Sequence, residues 1–490
     1  MSGHEQETGE VTTPMISRRN VLFSSIAGFF GGAMSRGAEA QAQQPSTGKS
    51  KRTLAPARSD GARAPVMVPN GAKLPWKMEN GVKVFHLIAE PVKREFAPGL
   101  IVNCLGYNGM TPGPMIEAYE GDRVRIYVTN KLPEGTSVHW HGVIVPSGMD
   151  GVSGLSQPKI KPGETFAYEF TLKQTGTVMY HPHFDEMVQI AMGMQGFFVI
   201  HPRDANVRRV DRDFAIFLNE WFIKPGTATP DPTVMLDFNV FTFNSKVFPA
   251  TEPLPVRLGD RVRIRLANLS MDSHPIHIHG HKFYVTGTDA GPIPQSAWVP
   301  ENSVNVPVGT TRDIEWVADN PGDWAFHCHK SHHVMNQMGH DLPNLLGVDT
   351  GTVPEQLNEL VPGTMVMGQT GMGDMAEHQI EAEIPRNSIP MRGGIGPYGP
   401  IEMGGMFTVI KVREGLTGYE DPGWYKPPRG TTAWLVPSMS APSPQPAENP
   451  HAGHGGASAA LSYTCPMHAE VVTDVAGTCP KCGMALVVKR

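Results

Sequence analysis

Four short histidine motifs carry most of the chemistry this sequence can offer. They are His139-Trp140-His141, His181-Pro182-His183, His274-Pro275-Ile276-His277-Ile278-His279 and His327-Cys328-His329, the last followed by His333 and Met338. Ten of the chain's 20 histidines belong to this set, too many for scattered core or surface residues. Alternate residues of a strand point to the same face, so each His-x-His pair presents two imidazoles side by side. A thiolate, two imidazoles and a distant thioether make the trigonal site of blue copper. Cys328, His274, His333 and Met338 supply such a set, and the remaining eight imidazoles suit three further coppers. His327 and His329 would face away from Cys328, so one strand would serve two sites. A short covalent path through the cysteine and its adjoining peptide would join them.

The elements that must position these motifs come in duplicate. Gly121-Asp122-Arg123-Val124-Arg125-Ile126 recurs as Gly259-Asp260-Arg261-Val262-Arg263-Ile264, and the same displacement carries His139 and His141 onto His277 and His279. Tyr180-His181-Pro182-His183 corresponds to Phe326-His327-Cys328-His329 after a slightly longer spacer. Two homologous units therefore stand in tandem. Residues 123–129 and 261–267 alternate at period two, and turns such as Asn108-Gly109, Pro162-Gly163 and Pro321-Gly322 separate short runs. With 53 glycines, 45 prolines and scarcely a helix-period stripe, the chain reads as all-β, two sandwiches in tandem. The expected division is a signal peptide at 1–42, a disordered linker at 43–78, a first sandwich at 79–203 and a second at 204–340. A late strand within 400–415 completes the second unit. A loose Met/Gly-rich insert fills 341–399, a tail and flexible linker 416–460, and a small metal-binding module 461–490.

In type and order these motifs resemble those of the multicopper oxidase (laccase-like) family. The resemblance implies cupredoxin-like Greek-key sandwiches and four coppers per chain: one type 1, one type 2 and two type 3. By motif, His139 and His277 would hold the type 2 copper. His141, His181 and His329 would hold one type 3 copper, and His183, His279 and His327 the other. Asp150 stands where the family often has an acid that assists proton delivery; it is equally suited to be a turn residue before Gly151. Val334 stands where another acid is often found. The gap between His183 and His274 has no room for a third sandwich, so the chain is similar to two-domain members with the blue site in the second unit. Pro182 occupies the place of Cys328 and rules out a blue site in the first. Similar two-domain oxidases close as homotrimers with clusters between chains, which is the expectation here.

Ser17-Arg18-Arg19-Asn20-Val21-Leu22 resembles a twin-arginine export signal, followed by an apolar run at 21–34 and Ala38-Glu39-Ala40 as a cleavage site. That run is too short and glycine-rich for a stable membrane span, so a periplasmic or secreted protein is expected. A net charge of −6 without a basic stripe argues against a nucleic-acid partner. Cys465-Pro466-Met467-His468 and Cys479-Pro480-Lys481-Cys482 resemble a small heavy-metal-binding domain, its three thiols and one imidazole suited to zinc or copper. Met365, Met367, Met372 and Met375 in the insert suit either Cu(I) feeding or adaptable packing. The expected reaction couples four one-electron oxidations of a small reducing substrate, Cu(I) or a phenol-type donor, to reduction of dioxygen to water, with a role in copper tolerance. The rival is a copper-sequestering or copper-delivery protein without turnover.

Overall fold

The computed structural model describes residues 63–204, 207–336, 351–360, 386–390, 393–436 and 462–489. The leader, Met338 and the four insert methionines lie outside the described residues. No helix among those described is long and apolar enough to cross a membrane.

In chain order the first part contains β1 (Val66–Met67), β2 (Trp76–Glu79), β3 (Val82–Ala97), β4 (Leu100–Tyr107), β5 (Gly113–Tyr119), β6 (Arg123–Asn130), β7 (Thr165–Thr171), β8 (Gly176–Tyr180), the short helix α1 (Glu186–Ala191) and β9 (Gly196–His201). The second contains β10 (Arg212–Trp221), β11 (Val240–Phe243), β12 (Leu254–Arg257), β13 (Arg261–Asn268), β14 (His274–Ile278), β15 (Phe283–Thr288), β16 (Gly291–Pro292), β17 (Val299–Glu301), β18 (Ser303–Val306), β19 (Thr310–Val317) and β20 (Gly322–Cys328). Helix α2 (Val353–Leu360), the hairpin β21 (Ile395–Gly396) and β22 (Gly399–Pro400), and β23 (Phe407–Arg413) follow.

The first sandwich faces a sheet β2-β3-β6-β7, with β4 on β3, against a sheet β5-β9-β8. Its core is built by alternation: Val124, Ile126 and Val128 of β6 point inward with no exposure, beside Trp140, Phe198 and Tyr180. The second faces β1-β10-β13-β19-β15-β16, with β11 and β17 at its sides, against β12-β23-β20-β14-β18. Cys328 lies in its core among Ile276, Phe326 and Ile410.

The repeat is not followed everywhere. In β13 the alternation gives way to burial on both faces, because Ala215, Phe217 and Ala267 pack on Met115, Met179, Phe197 and Val199 of the first sandwich. Arg263 and Arg265 are thereby buried. Asp213 receives Arg265 Nε at 2.8 Å and Arg263 Nη1 at 3.1 Å, and Glu315 receives Arg263 Nη2 at 2.7 Å. Arg265 also donates to Thr177 Oγ1 of β8 at 2.6 Å, which ties the two sandwiches together. Buried ions without such partners would be strongly destabilising.

One expectation about the connecting regions needs correction. Part of the 43–78 linker is structured: Val66 is fully buried, and β1 pairs in parallel with β10. Apolar Val66 and Met67 find a strand edge, which outweighs the polar composition around them. The insert at 341–399 contains α2, and Asn387 clamps Ile101 of β4 through both its N–H (2.8 Å) and its carbonyl (3.0 Å). The start of the tail is pinned to the second sandwich by Lys411 to Asp421 at 2.7 Å and by Tyr425 N to Asp323 at 2.7 Å.

Candidate metal centres

The structure gathers the histidines into three groups in the sandwiches. The first joins His139, His141, His181 and His183, with ring centroids 5.4 to 5.8 Å from His139 to the other three. The second joins His277, His279, His327 and His329, with rings 4.8 to 5.6 Å from His277. The third is Cys328, His274 and His333.

Contrary to the strand expectation, His139 and His141 lie beyond the regular strands, as do His183, His279 and His329. The alternation still holds locally. His139 and His181 form an isolated bridge, with His139 N donating to His181 O at 2.8 Å, while Trp140, between His139 and His141, is fully buried in the core. In the second unit the same bridge is part of the β14–β20 ladder, where His277 faces His327.

Four imidazoles are oriented by backbone carbonyls. His139 Nδ1 lies 2.8 Å from Asp150 O, His277 Nδ1 2.7 Å from Asn302 O, His181 Nδ1 2.8 Å from Pro182 O and His327 Nδ1 2.8 Å from Cys328 O. A carbonyl only accepts, so each Nδ1 carries the proton and each Nε2 keeps a bare lone pair, the form a metal needs. The second member of each group stands close by: His141 Nδ1 is 3.3 Å from His181 Nε2, and His279 Nε2 is 3.1 Å from His327 Nε2. Two nitrogens about 2.0 Å from one ion are about 3.3 Å apart at a tetrahedral angle, so either pair fits a shared metal. Burial holds His181 down to about 3 and His327 down to about 4, which keeps both neutral and ready to ligate.

The third group is enclosed. Cys328 Sγ lies 3.8 Å from His274 Nδ1 and 3.6 Å from His333 Nδ1, and the two nitrogens are 3.1 Å apart. One thiol and two imidazoles thus point to one small space, with Phe241 stacked on His333 at 4.0 Å. Burial pushes the Cys328 thiol up to about 12 and holds His274 near 3. Ser270 Oγ gives its proton to Asn268 Oδ1 at 2.6 Å and so accepts from His274 Nε2 at 2.9 Å, which frees His274 Nδ1 as a ligand. The chemistry of this donor set fits a soft, trigonal ion such as copper.

Asp150 occupies the turn the sequence allowed and lies beside a cluster histidine. It ends a short 3₁₀ turn before Gly151, whose φ of 83° and approach to Val138 O leave no room for a Cβ, and its Oδ1 lies 3.4 Å from His139 Nδ1. Sequence reasoning missed Glu186, 3.7 Å from both His181 and His183. It also missed Glu220, buried beside His274, where burial and then Asp272 raise its carboxyl to about 7. Both acids line a cavity of about 690 Å³ shared with the first histidine group and with Phe238 and Met271. A motif search had no means to find them, since neither is near a histidine motif that it serves, except that Glu186 follows His183 by three.

In the terminal module, a three-stranded sheet of β24 (Tyr463–Thr464), β25 (Val472–Thr473) and β26 (Val487–Val488), Cys465, His468, Cys479 and Cys482 converge, all four ligand atoms within 4.8 Å. Cys465 Sγ is 3.6 Å from Cys482 Sγ, and Cys479 Sγ 3.7 Å from His468 Nδ1. No disulfide spans such a distance, whereas thiolates about 2.3 Å from one tetrahedral ion would stand about 3.8 Å apart.

Two sandwiches sharing one repeat, with a thiolate–imidazole pocket in the second and a histidine cluster in each, define a copper-oxidase class of protein. Family models described as multicopper oxidase match residues 90–205 and 225–345, and a heavy metal binding domain model matches 462–489. The chain belongs to the multicopper oxidase family and is built from tandem cupredoxin-like sandwiches. Copper resistance protein A of Escherichia coli is 42% identical over 114 residues, 23% of this chain and 18% of that protein. Laccase-1 of Botryotinia fuckeliana is 36% identical over 228 residues, 43% of this chain and 38% of its own. The chain therefore spans well under two thirds of these relatives. Among solved structures, the blue copper oxidase from Nitrosomonas europaea is 25% identical with a TM-score of 0.50, covering 67% of this chain and 85% of that one. The multicopper oxidase mgLAC is 28% identical with a TM-score of 0.51, covering 68% and 87%.

Proposed function

We propose that this chain is an oxygen-reducing oxidase that takes single electrons from a small donor, Cu(I) or a phenol, and serves in copper tolerance. The observation that carries the reading is the setting of Cys328: its thiol points into a buried pocket with His274 and His333, while its neighbours His327 and His329 belong to a separate histidine group. Copper bound in these sets, four ions per chain, would supply one-electron oxidation at the mononuclear site and reduction of dioxygen to water at the trinuclear one.

The chain's own residues have distinct tasks. The core around Cys328 excludes water from the thiol, and Met338 would join Cys328, His274 and His333 as a fourth ligand. The carbonyls of Asp150, Pro182, Asn302 and Cys328 hold imidazole protons at Nδ1. The Asp150 carboxylate, 3.4 Å from His139, would serve as a proton donor for oxygen reduction. His139 and His277 are proposed as the type 2 pair, and His141, His181, His329 with His183, His279, His327 as the two type 3 sets.

Every close histidine–histidine ring contact among the described residues of these two clusters joins members of one sandwich. A complete cluster needs both halves, so the reading includes a homotrimer in which one chain's first half meets a neighbour's second half. It also includes export by the twin-arginine route and a zinc or copper ion in the terminal module. The relatives named for copper resistance, and the soft ligands of that module, favour Cu(I) as the donor. An oxygen electrode with Cu(I) and then a phenol as donor tests the activity. Oxygen uptake with either donor supports it. Bound copper with no uptake from either would leave the sequestering or delivery protein.

A further inference from the structure

Beside the thiolate pocket two buried polar atoms, Glu220 Oε1 and His333 Nε2, stand 3.9 Å apart, and neither has a hydrogen-bond partner among the described residues. Both side chains are fully buried. The other carboxylate oxygen of Glu220 is held in place, accepting the N–H of Met271 and of Asp272 at 3.1 Å each. His274 already has its acceptor in Ser270, whereas His333 Nε2 has none among the described residues. Asp272 Oδ2 also lies 3.6 Å from His333 Nε2, but it is half-exposed and engaged by Lys330 at 2.9 Å. Leaving two complementary buried groups unpaired costs more than the shift of about 1 Å that would join them.

We propose that Glu220 is a positioning residue of this pocket: its carboxylate accepts the Nε2–H of His333, which presents Nδ1 to the metal beside Cys328. The inference rests on the copper reading above. It gives β10, through Glu220, the task that Ser270 performs for His274. It also sets an anion against the outer edges of both imidazoles, 3.6 Å from His274 Nε2 as well. In its ionised form this carboxylate favours the more positive, oxidised state of a bound copper.

The test is a redox titration of the copper-loaded full chain, followed through its visible band and its electron paramagnetic resonance, for Glu220→Gln, Glu220→Asp and Asp272→Asn. In Glu220→Gln the amide oxygen keeps the two backbone N–H groups, so its NH₂ meets the His333 donor head-on. The equilibrium constant for reduction is expected to rise about tenfold, 59 mV for one electron, with a changed copper hyperfine splitting. Glu220→Asp keeps the charge but withdraws it, and is expected to fall between; it remains informative if the glutamine variant does not fold. Asp272→Asn is expected to change the constant less than twofold. A blue Glu220→Gln or Glu220→Asp with the spectrum and potential of the unsubstituted chain would overturn the role of Glu220 alone. An unsubstituted chain that binds copper without turning blue would remove the copper reading together with it.

Discussion

Between His181 and His183 of the first sandwich stands Pro182; between His327 and His329 of the second stands Cys328. Around these two positions the halves of the repeat are otherwise built alike, with Nδ1 of His181 and of His327 each tied at 2.8 Å to the carbonyl of the next residue. Behind them they part. The displacement that carries His139 onto His277 carries Thr136 onto His274. Thr136 is fully buried and donates to Gln189 Oε1 at 2.7 Å, a neutral hydrogen bond at the repeat position where the second sandwich carries His274 beside Cys328 and His333. The two halves thus share one way of holding cluster imidazoles, and only one of them has a thiolate site behind it.

The largest effect should come from removing that difference. Cys328→Ser is expected to abolish the intense visible absorption and all substrate oxidation while most of the cluster copper stays bound. A serine variant that remains blue would break the assignment. The next test treats the halves as equivalent: His181→Ala and His327→Ala should each lose oxygen uptake and keep the blue band. If one of them alone matters, the halves do not form a single cluster. Asp150→Asn keeps the turn and its carbonyl and removes only the acid, so oxygen reduction should slow about a hundredfold at unchanged copper content, as for a lost proton donor. A rate within twofold of the parent would reduce Asp150 to a turn residue.

A smaller effect concerns the metal-free chain. His181 and His274 near 3 and His327 near 4 lie below the roughly 6.5 of an unfolded histidine. The unfolded chain therefore binds more protons below that pH, and stability should fall as the pH drops from about 6.5 towards 3. The midpoint of thermal unfolding in a chelator would show it, and a flat midpoint between pH 7 and 4 would contradict the burial of these rings.

Much of this was legible in the sequence because it depends on local order. The His-x-His spacing, the Pro182–Cys328 contrast and the repeated Gly-Asp-Arg-Val-Arg-Ile strand each follow from side-chain alternation within a few residues. What was illegible depends on distant partners. Nothing near Arg263 and Arg265 announces that the first sandwich will cover them and that Asp213 and Glu315 will neutralise them. Nor does the sequence around Glu220 reveal that β10 passes behind His274 and His333. Val66 and Met67 looked like part of a linker because the edge of β10 that they pair with lies far along the chain.

The central claim is that the two histidine halves, which share no close ring contact among the described residues, complete each other between chains. Light scattering of the copper-loaded enzyme, with copper and oxygen uptake measured on the same sample, tests it most directly. Three chains with four coppers each and full activity are expected, with the assembly coming apart and activity lost as copper is withdrawn. A fully active monomer carrying four coppers would contradict it.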